Sequence, residues 1–252
     1  YYYRENEITN YLVIGLDRQD INQVTGYQNG GQADFLVVLS IDRVRRTVTP
    51  IMLDRDTMVM VQTYGVFGHP SGTRQMQICL SHAYSGTDVS NGFNTVASVE
   101  ALLHEIKIQH YITLDISAVS VLNDALGGVE IDVDEAEISH LNNYQIGTSE
   151  AIGRKNQYTK VTTTGMQTLD GLQATSYCRI RYTAGDDFKR AERQREVITA
   201  IAQKVKGASA SQLNDIANKV FSQTATSLEL SEILDLLEGV QGYTIVASDG
   251  FP

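Results

Sequence analysis

Six of the chain's 20 Lys and Arg residues fall between Arg179 and Arg195, in a protein that also carries 30 Asp and Glu. They lie in Arg179-Ile-Arg181-Tyr182, a loop over residues 183–187, and Phe188-Lys189-Arg190-Ala-Glu-Arg193-Gln194-Arg195. Like charges at this density repel unless something anionic sits among them. A planar guanidinium grips phosphate or carboxylate through two parallel hydrogen bonds, which an ammonium cannot do. Helical periodicity counted from Asp187 puts Val197, Ile198, Ile201 and Val205 on one apolar face. Arg190 and Gln194 fall on that face and Arg193 flanks it. An inward-facing unpaired charge costs several kcal/mol, roughly, unless an anion is bound against it. Two readings stand at this point: a bound phosphate or carboxylate, or a first helical turn that projects past the core with solvated arginines.

Asp17 and Asp34 are the best candidate metal ligands, because Mg²⁺ takes one or two carboxylates and completes its shell with phosphate oxygens and water. The alternative is that both are strand-end aspartates in turns or caps. Asp54-Arg55-Asp56 reads either as a self-neutralised surface group or as an arginine held by carboxylates so that it points at an anion. His82, His104 and His110 lack metal-ligand spacing, and His104 reads as a solvated or half-buried helix residue. Serine-hydrolase, nucleotide-loop and Cys-x-x-Cys zinc patterns are missing. Lys204 and Lys206 suit the last turn of a helix, where cations complement the dipole.

The elements that must position these side chains begin with three strands, 10–16, 34–42 and 47–53. If they are antiparallel neighbours, the end of the first, the start of the second and the end of the third share one edge. Asp17, Arg18, Asp34 and Arg55 then meet at one mouth of the sheet. A helix follows from an Asn94 N-cap through Ile106. Next come a strand over 110–116, a helix over 117–126 closed by Gly127-Gly128, and a strand over 129–134. Residues 135–164 read as a polar excursion or lid. Residues 169–178 form a short helix that delivers Arg179. A helix over 187–207, amphipathic segments over 211–223 and 231–237, and a last strand over 243–247 complete the chain. The alternation predicts an α/β or α+β fold, a central mixed sheet covered by helices.

At 252 residues and 42% hydrophobic content the chain can bury one or two cores, and a single domain over 1–252 is expected, since only three prolines occur and no linker interrupts it. A net charge of −10 argues against duplex DNA or bulk RNA as a partner. No apolar stretch has the length of a membrane span, and the Tyr1-Tyr2-Tyr3 start lacks signal-peptide character. Cys79 and Cys178 are either a disulfide or two buried thiols.

Taken together, the pieces resemble the LytR-CpsA-Psr family of bacterial cell-wall enzymes. The resemblance rests on Leu16-Asp17-Arg18, Ala33-Asp34, Asp54-Arg55-Asp56-Thr57, Ala83-Tyr84, Asp124-Ala-Leu-Gly-Gly-Val-Glu-Ile131, Leu169-Asp170-Gly171 with Ala174, Arg179-Ile-Arg181, and Asp187-Phe188-x-Arg190-x-x-Arg193-Gln194. These motifs run in order from about residue 10 to 205.

The resemblance implies an enzyme on the outer face of the bacterial cell membrane, held by a single N-terminal anchor absent from these residues. It would transfer a glycopolymer, such as teichoic acid or capsule, from an undecaprenyl-pyrophosphate carrier to peptidoglycan, and hydrolyse the lipid pyrophosphate when acceptor is missing. Asp17 and Asp34 would hold Mg²⁺, with Mn²⁺ as an alternative ion. Arg18, Arg55, Arg179, Arg181, Arg190, Arg193 and Gln194 would bind substrate. Asp34, Arg55 and Arg190 would be catalytic, Asp34 assisting deprotonation of the acceptor hydroxyl. The polyprenyl chain would occupy an apolar tunnel between sheet and helices. Four positions depart from the family pattern: Gln32 and Gln77 replace an arginine and a lysine, Asp54 a proline, and Lys189 a glycine. The competing readings are a polyprenyl-phosphate-binding or regulatory protein without turnover, and a general carbohydrate-binding domain.

Overall fold

Short apolar runs, Tyr11 to Leu16 and Phe35 to Leu39, build the central strands, each with three consecutive buried residues. In a computed structural model, which describes residues 7–18, 30–84, 88–104, 106–181, 186–221 and 223–246, β1 (Ile8–Leu16) lies antiparallel to β2 (Ala33–Asp42), and β2 to β3 (Thr47–Leu53). The expected antiparallel trio is therefore present. Residues 182–185, Tyr1 to Tyr3, Ala247 and the side chains of Asp187 and Phe188 lie outside the described residues.

Contacts divide the chain into two units. The first contains Tyr1–Asp115, Thr224–Glu232 and Gly242–Pro252; the second contains Ile116–Gln223 and Ile233–Gln241. In the first unit, the hairpin β4 (Met58–Tyr64) and β5 (Pro70–Gln77) follows β3, and then come α1 (Leu80–Ala83) and α2 (Asp88–Leu103). The strand β6 (His110–Leu114) pairs parallel with β1. Two late strands, β9 (Thr224–Thr226) and β10 (Thr244–Ile245), cover the edges and give the order β10-β3-β2-β1-β6-β9, with both parallel and antiparallel pairs. Leu12, Ile14 and Leu16 from one face of β1 meet Leu36, Val38 and Leu53, with Val59, Val61, Ile78 and Val99 closing the core. Pro50 fits inside β3 because the Val48 carbonyl faces β10, and two residues on Pro50 points the same way, past the end of that strand.

The second unit contains α3 (Ile116–Ala125), β7 (Val129–Val133), α4 (Glu135–Ala151), β8 (Gly165–Leu169), α5 (Gly171–Tyr177), α6 (Asp186–Gly207), α7 (Ala210–Phe221) and part of α8 (Leu230–Glu238). Its core joins Val129, Ile131 and Val133 to Leu141, Leu169, Tyr177, Ile180 and Val197. Gly127 and Gly128 take φ values of 77° and 83° after α3, as the C-terminal glycine signal requires. A Cβ on Gly128 would come within 2.6 Å of the Leu169 carbonyl oxygen. The Asp124 carboxylate accepts from the Gly171 N–H at 2.7 Å and from Arg154 at 2.8 Å. The family-like stretches at 124–131 and 169–171 are thus joined to each other and hold the fold.

Three local expectations are corrected. Residues 135–151 of the supposed polar excursion form a 17-residue helix started by a capping box, in which Asp134 accepts from the Glu137 N–H and Glu137 from the Asp134 N–H. Its buried stripe includes Gln145, Thr148 and Ser149, so hydrophobic periodicity could not reveal it. Asn94 is no N-cap, for α2 starts at Asp88; its buried amide donates to the Ser81 and Gln62 carbonyls instead. His104 follows the helix, exposed, with φ 41°.

Candidate functional site

The end of the sheet where β1 stops and β2 starts is drawn together by one carbonyl. The Gln32 oxygen accepts from the Asp17 N–H and from the Asp34 N–H, both at 3.1 Å. The Ala33 N–H donates to the Cys79 carbonyl, and the Cys79 N–H to the Arg55 carbonyl. These bonds place Asp17, Asp34 and Arg55 at the same end of the sheet, as the antiparallel connectivity requires.

Arg55 is the centre of this cluster, its side chain 14% exposed against 31% for Asp34. Its Nη1 pairs with Oδ1 of Asp34 and its Nη2 donates to Oε1 of Gln32 at 2.8 Å. Cys79 Sγ lies 3.6 Å from Nη2, and an Asp56 oxygen 3.6 Å from Nε. Burial pulls the Arg55 pKa down, but the Asp34 carboxylate, with Asp56 beside it, outweighs this and leaves the guanidinium more firmly protonated. Burial likewise pushes the Cys79 thiol up, opposed by Arg55. Asp56 in turn accepts from Gln77 at 2.9 Å and lies only in ion-pair range of Arg55, while Asp54 closes the turn by accepting from the Asp56 N–H at 2.9 Å. The arginine of this triplet is held mainly by Asp34 from β2 and not by the flanking carboxylates expected from the sequence, of which Asp56 reaches it only at 3.6 Å.

Arg18 follows β1 and runs over Gly31. Gly31 takes φ 82°, and a Cβ there would collide with the Arg18 side chain. Arg18 Nη1 approaches the Gly30 carbonyl at 3.5 Å, and Nδ1 of buried His82 lies 2.8 Å from the same oxygen. A two-aspartate set fits Mg²⁺ only when phosphate or water supplies the remaining oxygens. Among the described residues no group of three or more His, Cys, Asp or Glu side chains could hold a metal alone. Asp17 and Asp34 supply two carboxylates at this end of the sheet, and one Asp34 oxygen is already paired with Arg55.

The second unit carries the arginine-rich helix. Arg190 and Arg193 are 7% and 3% exposed, in line with Val197 and Ala200, so the inward face is 190-193-197-200. Of the expected face, Arg190 and Val197 are buried, whereas Gln194, Ile198, Ile201 and Val205 are only half-buried and Arg193, expected at the flank, is central. Arg193 Nε donates to Oε1 of Glu137 at 2.7 Å and its Nη1 to the Ile180 carbonyl at 3.2 Å, with the Tyr177 ring 5.8 Å from its Cζ. The Tyr177 hydroxyl donates to Glu196 at 2.8 Å; burial and that bond push the phenol pKa up, so the donor stays protonated. Arg179 donates to the Thr148 hydroxyl at 3.1 Å, Arg181 is exposed, and Lys189 pairs with Glu192 on the surface. Cys178 is a free thiol, as is Cys79, so two thiols and no disulfide are present; burial pushes Cys178 up to about 12.

Glu137, Thr148 and Cys79 were missed as partners of the arginines. Only Glu137 carried a sequence signal, the Asp134-x-x-Glu137 start of a helix.

The order of these motifs along the sequence matches the LytR_cpsA_psr family over residues 2–248. The chain belongs to that family. TagU of Enterococcus faecalis, a polyisoprenyl-teichoic acid–peptidoglycan teichoic acid transferase, is 31% identical over 217 residues, 86% of this chain and 58% of that protein. TagV of Bacillus subtilis, which has the same activity in its name, is 27% identical over 218 residues, 85% of this chain and 49% of that protein. The chain thus spans about half the length of these two relatives. The gbs0355 protein of Streptococcus agalactiae shares the fold, with a TM-score of 0.73 at 20% identity over 98% of this chain and 78% of that one. The family match reaches beyond the 10–205 span of the motifs, into the segments that supply β9 and β10.

Proposed function

We propose that this LytR_cpsA_psr domain is a phosphotransferase that moves a glycopolymer from a polyprenyl-pyrophosphate carrier to peptidoglycan, at the outer face of the cell membrane. The observation that carries the reading is Arg55, held by Asp34 and Gln32 at the open end of the sheet beside Arg18 and Asp17. The acceptor hydroxyl oxygen attacks the phosphorus that bears the glycan. The bond from that phosphorus to the bridging oxygen breaks, and polyprenyl phosphate leaves with the electron pair. Asp34 takes the hydroxyl proton. Phosphoryl transfer spreads charge over the phosphate oxygens, so the work of the protein is positioning and charge stabilisation, the role assigned to Arg55 and Arg18. Asp17 and Asp34 would hold Mg²⁺ or Mn²⁺, which neutralises phosphate charge. Family resemblance gives Arg179, Arg181, Arg190 and Gln194 the role of phosphate ligands. Arg193, engaged with Glu137, is a positioning residue. The polyprenyl chain would lie in an apolar tunnel between sheet and helices.

The test is cleavage of a polyprenyl-pyrophosphate-linked glycan, with and without Mg²⁺ and a peptidoglycan acceptor, comparing wild type with Asp34→Ala and Arg55→Ala. Metal-dependent release of polyprenyl phosphate that both substitutions abolish supports transfer. Gln32 favours a second reading: a neutral amide stands where the family pattern has an arginine, and it is already used by Arg55. A regulatory, lipid-binding protein would bind the carrier without cleaving it under any metal.

A further inference from the structure

The longest stretch of this chain without Asp or Glu runs from Thr57 to Thr87, 31 residues in a protein with 30 acidic side chains. Arg74 is its only Lys or Arg. Most of it is the hairpin β4–β5, and the outer face of that hairpin is uncharged throughout. Met58, Met60, Gln62 and Tyr64 alternate along β4 opposite Gln77, Gln75, Thr73 and Pro70. Met58 and Met60 are 53% and 54% exposed, whereas Val59 and Val61 on the other face enter the core.

The tip is the sharper anomaly. The Gly68 N–H donates to the Gly65 carbonyl at 2.9 Å, and the Gly65 N–H to the His69 carbonyl at 2.8 Å, with Gly68 at φ 74°. This doubly closed turn holds Val66 and Phe67 at its two corners. Polar residues and glycine dominate such corners, because they satisfy the backbone locally and lose nothing by facing water. Here the corners are Val66, 74% exposed, and Phe67, 90% exposed. Neither side chain contributes to the core, and the backbone turn would form as well with Ser or Asn.

We propose that the β4–β5 tip is a membrane-interface contact, in which Val66 and Phe67 insert among the lipids of a phospholipid bilayer. Charge complementarity selects this occupant. A protein of net charge −10 is repelled by an anionic membrane, and this hairpin is where it can approach without presenting a carboxylate. Tyr64 and His69 flank the tip with amphipathic rings suited to the headgroup layer. The contact is independent of catalysis: it needs neither Arg55 nor the pyrophosphate, so it stands or falls apart from the transferase reading.

The chain has no Trp, so Phe67→Trp places a single reporter at the tip. With vesicles of phosphatidylglycerol and phosphatidylcholine, its emission should shift to the blue, and that of Met166→Trp, an exposed site on β8, should not. In cosedimentation with excess vesicles, Phe67→Ser should reduce the bound fraction with about a tenfold or greater loss in partition coefficient, the scale of removing one buried phenyl group. High salt should not weaken binding, because insertion is apolar and screening relieves the repulsion between the acidic protein and the anionic vesicle. Cleavage of detergent-dispersed substrate should be the same for wild type and Phe67→Ser. An unshifted Phe67→Trp spectrum, or equal binding by Phe67→Ser, overturns the proposal. So does a change of oligomeric state by Phe67→Ser without vesicles, which would assign the tip to a second copy of the chain.

Discussion

Arg193 on α6 donates its Nε to the carboxylate of Glu137 on α4, and the two side chains are 4% and 9% exposed. The acid that begins α4 by accepting from the Asp134 N–H is also the counter-ion of the arginine helix. One carboxylate therefore caps one helix and docks another. Removing either partner leaves a buried charge without its counter-ion. Arg193→Ala and Glu137→Gln are each expected to destabilise the second unit by about 3–5 kcal/mol in denaturant unfolding. The double replacement Arg193→Met with Glu137→Leu should cost less than the sum of the two single changes. Strict additivity would show that the pair is not coupled.

Arg55 is expected to tolerate no replacement. Arg55→Ala should lower kcat/KM for polyprenyl-pyrophosphate cleavage by about 10²–10³-fold, the scale of losing one preorganised donor. Arg55→Lys should recover only part of this, because an ammonium cannot bridge Asp34 and Gln32 as the planar fork does. Arg195→Ala, on the exposed side of α6, should leave the rate unchanged.

Gly171 should be irreplaceable for a reason unconnected with chemistry. A Cβ there would collide with the Ser120 carbonyl oxygen and come within 2.8 Å of the Asp124 carboxylate. Gly171→Ala is expected to cost about 2–4 kcal/mol in thermal or denaturant unfolding. Asp124→Asn, which weakens the bonds to Gly171 and Arg154, should lower stability in the same assay.

The turn between β2 and β3 gives an acid-side signature. The Arg45 N–H, and then the Val44 N–H and the Arg45 side chain, hold the Asp42 carboxyl below its ordinary 3.8, against a smaller effect of burial. A depressed folded pKa means that the unfolded chain binds the proton first. The stabilisation is present above 3.8 and is lost as pH falls from there through the lower folded value. Asp42→Asn should flatten that part of the stability profile and leave the neutral-pH slope unchanged.

Parts of this protein were legible from local pattern. Short apolar, β-branched runs in 10–16, 34–42 and 47–53 specified strands, and a short connection made antiparallel neighbours of the last two. The glycines after α3 specified its end because left-handed backbone is local chemistry. The hairpin over 58–77 lies outside the elements expected from the sequence, although Gly65 and Gly68 bracket its Val66-Phe67 tip. The helix over 135–151 is hidden because Leu141 is the one apolar residue on a buried side otherwise made of Glu137, Gln145, Thr148 and Ser149. Asn94 looked like a cap because Asn suits caps, but its partners are carbonyls 13 and 32 residues away.

By itself, then, the sequence determined which residues could do chemistry: a cluster of guanidiniums, two aspartates at strand ends, and their order along the chain. Only the tertiary structure decided which cation is held by which anion. Asp34 lies 21 residues from Arg55, and Glu137 lies 56 residues from Arg193. No local periodicity encodes a partner at such separations, because it is the packing of strands and helices that brings the charges together. Arg193 is thereby drawn into the second unit's own core, while Arg55, paired with Asp34 and Gln32, stays partly exposed at the end of the sheet.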